Sequence, residues 1–79
     1  MITAKDVLDA IRENVSTIEI KDLDRDERLM EQGFDSLDFF STLYSLEEKC
    51  QIKIPQDDID NGKLATVNAI VDYINNCLT

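Results

Sequence analysis

The chain has 79 residues, enough for one domain across residues 1–79 that buries only about two thirds of the surface its unfolded form exposes. Its 17 acidic and 8 basic residues leave a net charge of −9, which repels phosphate backbones and anionic lipid and excludes nucleic acid and membrane surfaces as partners. No apolar run is long enough to span a bilayer and the start lacks the features of a signal peptide, so the expected location is cytoplasmic, without membrane insertion.

Thr3, with Asp6 three residues on, predicts a capped helix over Ala4–Ser16 whose apolar positions are Val7, Leu8, Ile11 and Val15. A long connection follows from Thr17 to Asp35. It is rich in Asp and Glu, and Ile18, Ile20, Leu23, Leu29, Met30 and Phe34 are expected to pin it to the core while it crosses the molecule.

A second helix is predicted from Ser36 to about Gln51, with Asp35 as its N-cap and Lys53-Ile54-Pro55 as its stop, since a residue before proline disfavours helical geometry. Asp57–Asp60 predicts a short third helix closed by Asn61-Gly62. Thr66 then caps a last helix, reaching to about Cys77, whose stripe is Val67, Ile70, Val71 and Ile74. No stretch alternates as a strand would. The fold class is therefore all-α: a four-helix bundle with one short helix and a long first loop.

Chemistry is sparse. There is no histidine, so neither a nucleophilic hydrolase nor a zinc site can be assembled, and Cys50 and Cys77, far apart, read as buried small apolar residues. Asp57, Asp58, Asp60, Asn61 and Gly62 resemble a calcium loop only loosely: Ile59 takes a ligand position and Asn68 stands where the closing glutamate belongs. No metal site is expected. Loose divalent binding there, or at Asp22, Asp24 and Asp26, would be charge relief.

What remains is Ser36, at the junction of loop and helix in the run Gly33-Phe34-Asp35-Ser36-Leu37-Asp38. Without a base beside it, its hydroxyl reads as an attachment point, unless Ser36 and Asp35 merely cap the helix. Turning each residue by 100° puts Phe39, Leu43, Leu46 and Cys50 on a core face. Leu37, Phe40 and Tyr44 fall on a second face, flanked by Ser36, Ser41, Glu47 and Glu48, a mixture suited to a protein partner.

The stretch GFDSLD, followed by Leu43, Leu46, Glu47 and Glu48, resembles the acyl carrier proteins of fatty-acid and polyketide synthesis. The likeness extends through Lys53-Ile54-Pro55, Thr66-Val67 and Asp72-Tyr73-Ile74. It implies that Ser36 carries 4′-phosphopantetheine through a phosphodiester, that the terminal thiol holds acyl groups as thioesters, and that the chain itself is not an enzyme. By the same resemblance, Asp35, Leu37, Asp38, Phe40, Tyr44, Glu47 and Glu48 meet a phosphopantetheinyl transferase and acyl-processing enzymes with basic docking patches. Family members can also tuck acyl chains among their helices.

Ser41 stands where many fatty-acid carriers have an acidic residue, and Phe39, Phe40 and Tyr44 are bulkier than usual there, which points to a specialised carrier with a restricted partner set. A monomer is the simplest state for a mobile shuttle. Three other readings remain: an aminoacyl or peptidyl carrier, an unmodified acidic adaptor that binds a basic partner, and a regulatory phosphorylation site at Ser36.

Overall fold

A computed structural model describes residues 1–15 and 19–78. Helix α1 (Ala4–Asn14) starts at a capping box, in which the Thr3 N–H donates to Asp6 Oδ2 at 2.8 Å. It stops two residues before the predicted end because Val15 turns extended, its N–H still bonded to the Ile11 carbonyl at 2.8 Å. Val7, Ala10 and Ile11 are buried and Leu8 sits half-buried at the margin. Ile18, expected to anchor the connection, lies outside the described residues, as does the predicted last residue of this helix, Ser16.

The connection is built from two 3₁₀ turns, Ile20–Asp22 and Leu29–Glu31. Leu29 and Phe34 are sunk in the core, and Ile20 and Leu23 pack against its edge. Met30 is a correction: it is exposed. A 3₁₀ turn advances each residue by about 120°, so Leu29, pointing inward, sends its neighbour out. Gln32 holds the curve, accepting from the Asp24 N–H at 2.8 Å and donating to the carbonyls of Asp24 and Glu27. Backbone bonds from Leu29 N–H to the Ala65 carbonyl (2.8 Å) and from Asn68 N–H to the Arg25 carbonyl (3.1 Å) carry the loop across to the last helix.

Helix α2 (Ser36–Cys50) ends earlier and by another device than the Ile54-Pro55 step. Gln51 enters the left-handed region (φ 55°), and the N–H groups of Gln51 and Ile52 both return to the Glu47 carbonyl. Ile54 is then free to fold inward, where it is buried. Helix α3 (Gln56–Asp60) follows Pro55 at once, buries none of its five residues, and is closed by Asn61 and Gly62, the latter at φ 77°. Helix α4 (Val67–Leu78) receives its cap from Thr66, whose Oγ1 accepts from the Ala69 N–H at 3.0 Å.

These helices enclose a core made of Val7, Ala10 and Ile11 from α1, Phe39, Leu43 and Leu46 from α2, and Val67, Ile70 and Ile74 from α4. Val71, predicted in that last stripe, is only half-buried. Among the described residues every regular element is helical, and none is long and apolar enough to cross a membrane. Thr42 is buried among these side chains with its hydroxyl satisfied by the Asp38 carbonyl at 3.0 Å.

The cysteines depart from expectation. Cys77 is exposed near the end of α4, and Cys50 is half-buried at the end of α2. Burial pushes the Cys50 thiol above its ordinary pKa, with the Asp6 carboxylate adding to the shift.

Candidate functional site at the start of helix α2

Phe34 fixes the approach to α2 by burying its ring two residues ahead of the helix. Asp35, extended at φ −95° and ψ 177°, then supplies the cap: its Oδ1 accepts from the Asp38 N–H at 2.7 Å. Asp38 reciprocates through a longer contact, its Oδ2 receiving the Asp35 N–H at 3.4 Å. One of the orphan amides of the first turn is thus taken by a carboxylate, at the end of the helix where negative charge is favoured.

Ser36 is the first helical residue and is exposed. Capping belongs to Asp35, so the Ser36 hydroxyl is uncommitted and makes no hydrogen bond among the described residues. The arrangement fits a phosphodiester at that oxygen. The hydroxyl faces solvent, the positive end of the helix dipole lies beneath it, and the backbone N–H groups of Ser36 and Leu37 have no partner among the described residues.

The two faces of α2 separate as their spacing requires. Phe39 and Leu43 are 8% and 1% exposed, whereas Leu37, Phe40 and Tyr44 are 73%, 42% and 62% exposed. Phe39 and Phe40 meet at the boundary, their ring centroids 6.0 Å apart at 50°. The apolar patch therefore begins beside Ser36 and runs down the helix away from the core.

Its carboxylates differ in how free they are. Glu48 is exposed, and its carboxylate beside the Tyr44 hydroxyl raises the phenol above its ordinary pKa. Glu47 is half-buried, and its Oε2 accepts from the Ile54 N–H at 3.2 Å. Glu47 thus ties α2 to the segment leading into α3, a duty its position on the helix does not reveal.

Sequence reasoning also missed a cluster on the neighbouring α3. Tyr73 of α4 donates its hydroxyl to Asp58 Oδ2, and Lys63 Nζ lies 3.2 Å from Asp58 Oδ1. The acidic run Asp57–Asp60 is wound into helix, and its Asp58 is engaged by these two partners. Asp58 is held below the usual carboxylate range by the Tyr73 hydroxyl and by Lys63, and the Tyr73 phenol is pushed up to about 12 by the same bond. Asp72-Tyr73-Ile74 stands in the sequence as a string; its pairing with Asp58, 15 residues away, carries no periodic signal.

Residues 5–74 match the family model described as the phosphopantetheine attachment site. Over 77 residues, 96% of either chain, the protein is 34% identical to an acyl carrier protein of Campylobacter jejuni subsp. doylei. It is 35% identical, over the same shares, to an acyl carrier protein of Campylobacter jejuni. With the match covering nearly all of the helical bundle, the chain belongs to the acyl carrier protein family.

Proposed function

We propose that this chain is a carrier domain that bears 4′-phosphopantetheine on Ser36 and moves acyl groups between the enzymes of a fatty-acid, polyketide or related specialised synthesis. The observation that carries the reading is the exposed, uncommitted Ser36 hydroxyl on the first turn of α2, beside an apolar patch with a carboxylate rim. When bound, the group supplies a thiol on a flexible arm, where acyl groups are held as thioesters. Apart from the Ser36 hydroxyl that is modified, the chain's own residues tether, present and dock.

On the transferase, Ser36 Oγ would attack the pantetheine-side phosphorus of coenzyme A, the pyrophosphate P–O bond breaks with adenosine 3′,5′-bisphosphate leaving, and the Ser36 proton passes to the transferase. Asp35 and Asp38 keep the first turn wound and offer negative charge to a basic transferase surface. Leu37, Phe40 and Tyr44 form the apolar centre of the docking face, with Glu48 at its edge and Glu47 shared between docking and the hold on Ile54. Charge speeds encounter while a small apolar centre keeps binding weak enough to release, as a shuttle between sites demands. Bulky rings at Phe40 and Tyr44 support a restricted partner set. The proposed working state is a cytoplasmic monomer.

Intact-mass measurement after incubation with coenzyme A and a broad-specificity phosphopantetheinyl transferase tests the reading. The wild type gains one phosphopantetheinyl unit and a free thiol, and Ser36→Ala gains nothing while keeping its helical circular dichroism. An unmodified wild-type chain, or a modified Ser36→Ala, refutes the assignment.

A further inference from the structure

The asparagines of the chain are not equally held. Asn14 donates to the Ala10 carbonyl and to Ser45 Oγ, Asn68 donates to Asp26 Oδ1, and Asn75 clasps both backbone groups of Ile2. Asn76 is engaged as well. Asn61 differs: it is exposed, and its side-chain amide makes no hydrogen bond among the described residues. It is also the one asparagine followed by glycine. Gly62 is exposed at φ 77°, has open space within 4 Å of where a Cβ would stand, and carries no side chain to shield its backbone nitrogen.

The chemistry that this pair can carry needs no enzyme. The Gly62 nitrogen attacks Cγ of Asn61 and a C–N bond forms; the bond from Cγ to the side-chain nitrogen breaks, and ammonia leaves with the proton that Gly62 gave up. Solvent water opens the resulting cyclic succinimide at either carbonyl, giving aspartate or isoaspartate at position 61. In the folded chain the closing turn of α3 holds the reactants apart. Asn61 sits at φ −84° and ψ 4°, which turns the Gly62 nitrogen away from the Cβ that bears the amide, and the Gly62 N–H is bonded to the Ile59 carbonyl at 3.1 Å. Reaction waits for this turn to open. Little resists opening, since no residue of α3 is buried and its lateral ties are the Tyr73 hydroxyl and Lys63, both on Asp58.

From this we infer that Asn61-Gly62 is a self-modification site, an intramolecular deamidation clock gated by the ties of Tyr73 and Lys63 to Asp58. Either product weakens the turn that formed the gate. Aspartate adds negative charge at the C-terminal end of a helix that already carries Asp57, Asp58 and Asp60, where the dipole disfavours it. Isoaspartate lengthens the backbone by a carbon and displaces the N–H groups of Gly62 and Lys63 from the carbonyls of Ile59 and Asp58. None of this involves Ser36.

The test ages the full chain in mildly alkaline buffer and follows it by intact mass and peptide mapping, which read the exchange of an amide NH2 for a hydroxyl and locate it. In native wild type, residue 61 should convert ahead of every other asparagine, to a mixture of aspartate and isoaspartate, and Asn61→Gln should abolish that conversion. Tyr73→Phe should quicken it about threefold, the effect of losing one partly exposed hydrogen bond that resists opening. Lys63→Ala, which removes the other tie and leaves the core untouched, should act in the same direction. Wild type unfolded in urea, with no gate, should convert roughly tenfold faster than native. Amide exchange at Gly62 and Lys63 should be faster in the converted protein than in the fresh one.

An intact residue 61 after the unfolded chain has converted, or earlier conversion of another asparagine, overturns the site. Equal rates in native and unfolded wild type, or wild-type rates in both Tyr73→Phe and Lys63→Ala, overturn the gate. Unchanged exchange at Gly62 and Lys63 after conversion overturns the weakening of the turn.

Discussion

Replacing Asp35 separates two duties that meet on one carboxylate. Asp35→Ala removes the 2.7 Å bond to the Asp38 N–H and the charge at the start of α2, and keeps only the longer contact from the backbone N–H of residue 35 to Asp38 Oδ2. Losing an N-cap costs about 0.5–2 kcal/mol, and the exposure of this pair places the loss near the middle, at about 1 kcal/mol. For a domain of this size that lowers Tm by roughly 4–8 °C. Asp35→Asn keeps an acceptor oxygen in the same place and loses only the charge, worth about 0.3–1 kcal/mol beside the helix dipole, so its Tm should fall by less. Thermal melts followed at 222 nm measure both. Transferase loading rates on the same proteins then read the charge alone: Asn should load more slowly than wild type while remaining nearly as stable. A Tm for Asp35→Ala within a degree or two of wild type would refute the capping argument, because it would mean that the free Ser36 hydroxyl had taken over the cap.

Asn75 accepts the Ile2 N–H (2.8 Å) and donates to the Ile2 carbonyl (3.0 Å), so Asn75→Ala should destabilise by about 1–2 kcal/mol and free the first residues, seen as faster exchange of the Ile2 amide. The pairing of Asp58 with Tyr73 gives stability two edges in pH. Asp58, lowered by its hydrogen bonds from Tyr73 and Lys63, contributes stability that is full above its unfolded value of 3.8 and is lost as pH falls below it. Tyr73, raised to about 12 by Asp58, contributes stability that is full below 10.0 and is lost as pH climbs from there towards 12. Tm against pH in Tyr73→Phe should therefore lack the alkaline edge and show a weaker acid one; a profile parallel to wild type would contradict this. With a net charge of −9, raising salt from about 0.01 M to about 0.15 M shortens the screening length from about 30 Å to about 8 Å and should raise Tm, whereas a flat titration would show that self-repulsion is not felt in the folded state.

The features that the sequence displays openly are those set by neighbours along the chain. Asp35 announced the start of α2 as its N-cap, and the spacing of Phe39 and Leu43 against Leu37, Phe40 and Tyr44 separated its two faces, with the exposures falling as that spacing requires. Where the reading failed, the backbone did something that composition does not encode. Met30 was assigned inward because it is apolar, and a 3₁₀ turn rotated it out. The end of α2 was assigned to the proline step, and Gln51, a residue without special preference for the left-handed region, closed it first. Cys77 was assigned to the core, and it is exposed near the end of α4. Polar pairings across the chain stayed hidden for a different reason. Asp58 with Tyr73, Asn68 with Asp26 and Asn14 with Ser45 join residues 15, 42 and 31 positions apart, and a pair of that kind leaves no periodic trace. Glu47 was placed on the docking face by its helical position, and its bond to the Ile54 N–H became visible only once the chain had folded back on itself.

The division of labour between Asp35 and its neighbour has a consequence for how enzymes tell the bare chain from one that bears its arm. Esterifying the serine oxygen breaks no hydrogen bond that winds α2, since none runs through it. On the proposed reading, empty and laden forms present the same rod at the same angle, and a client enzyme gains no information from its shape. Discrimination must then fall on the freight itself, or on α3, the short helix none of whose residues is buried.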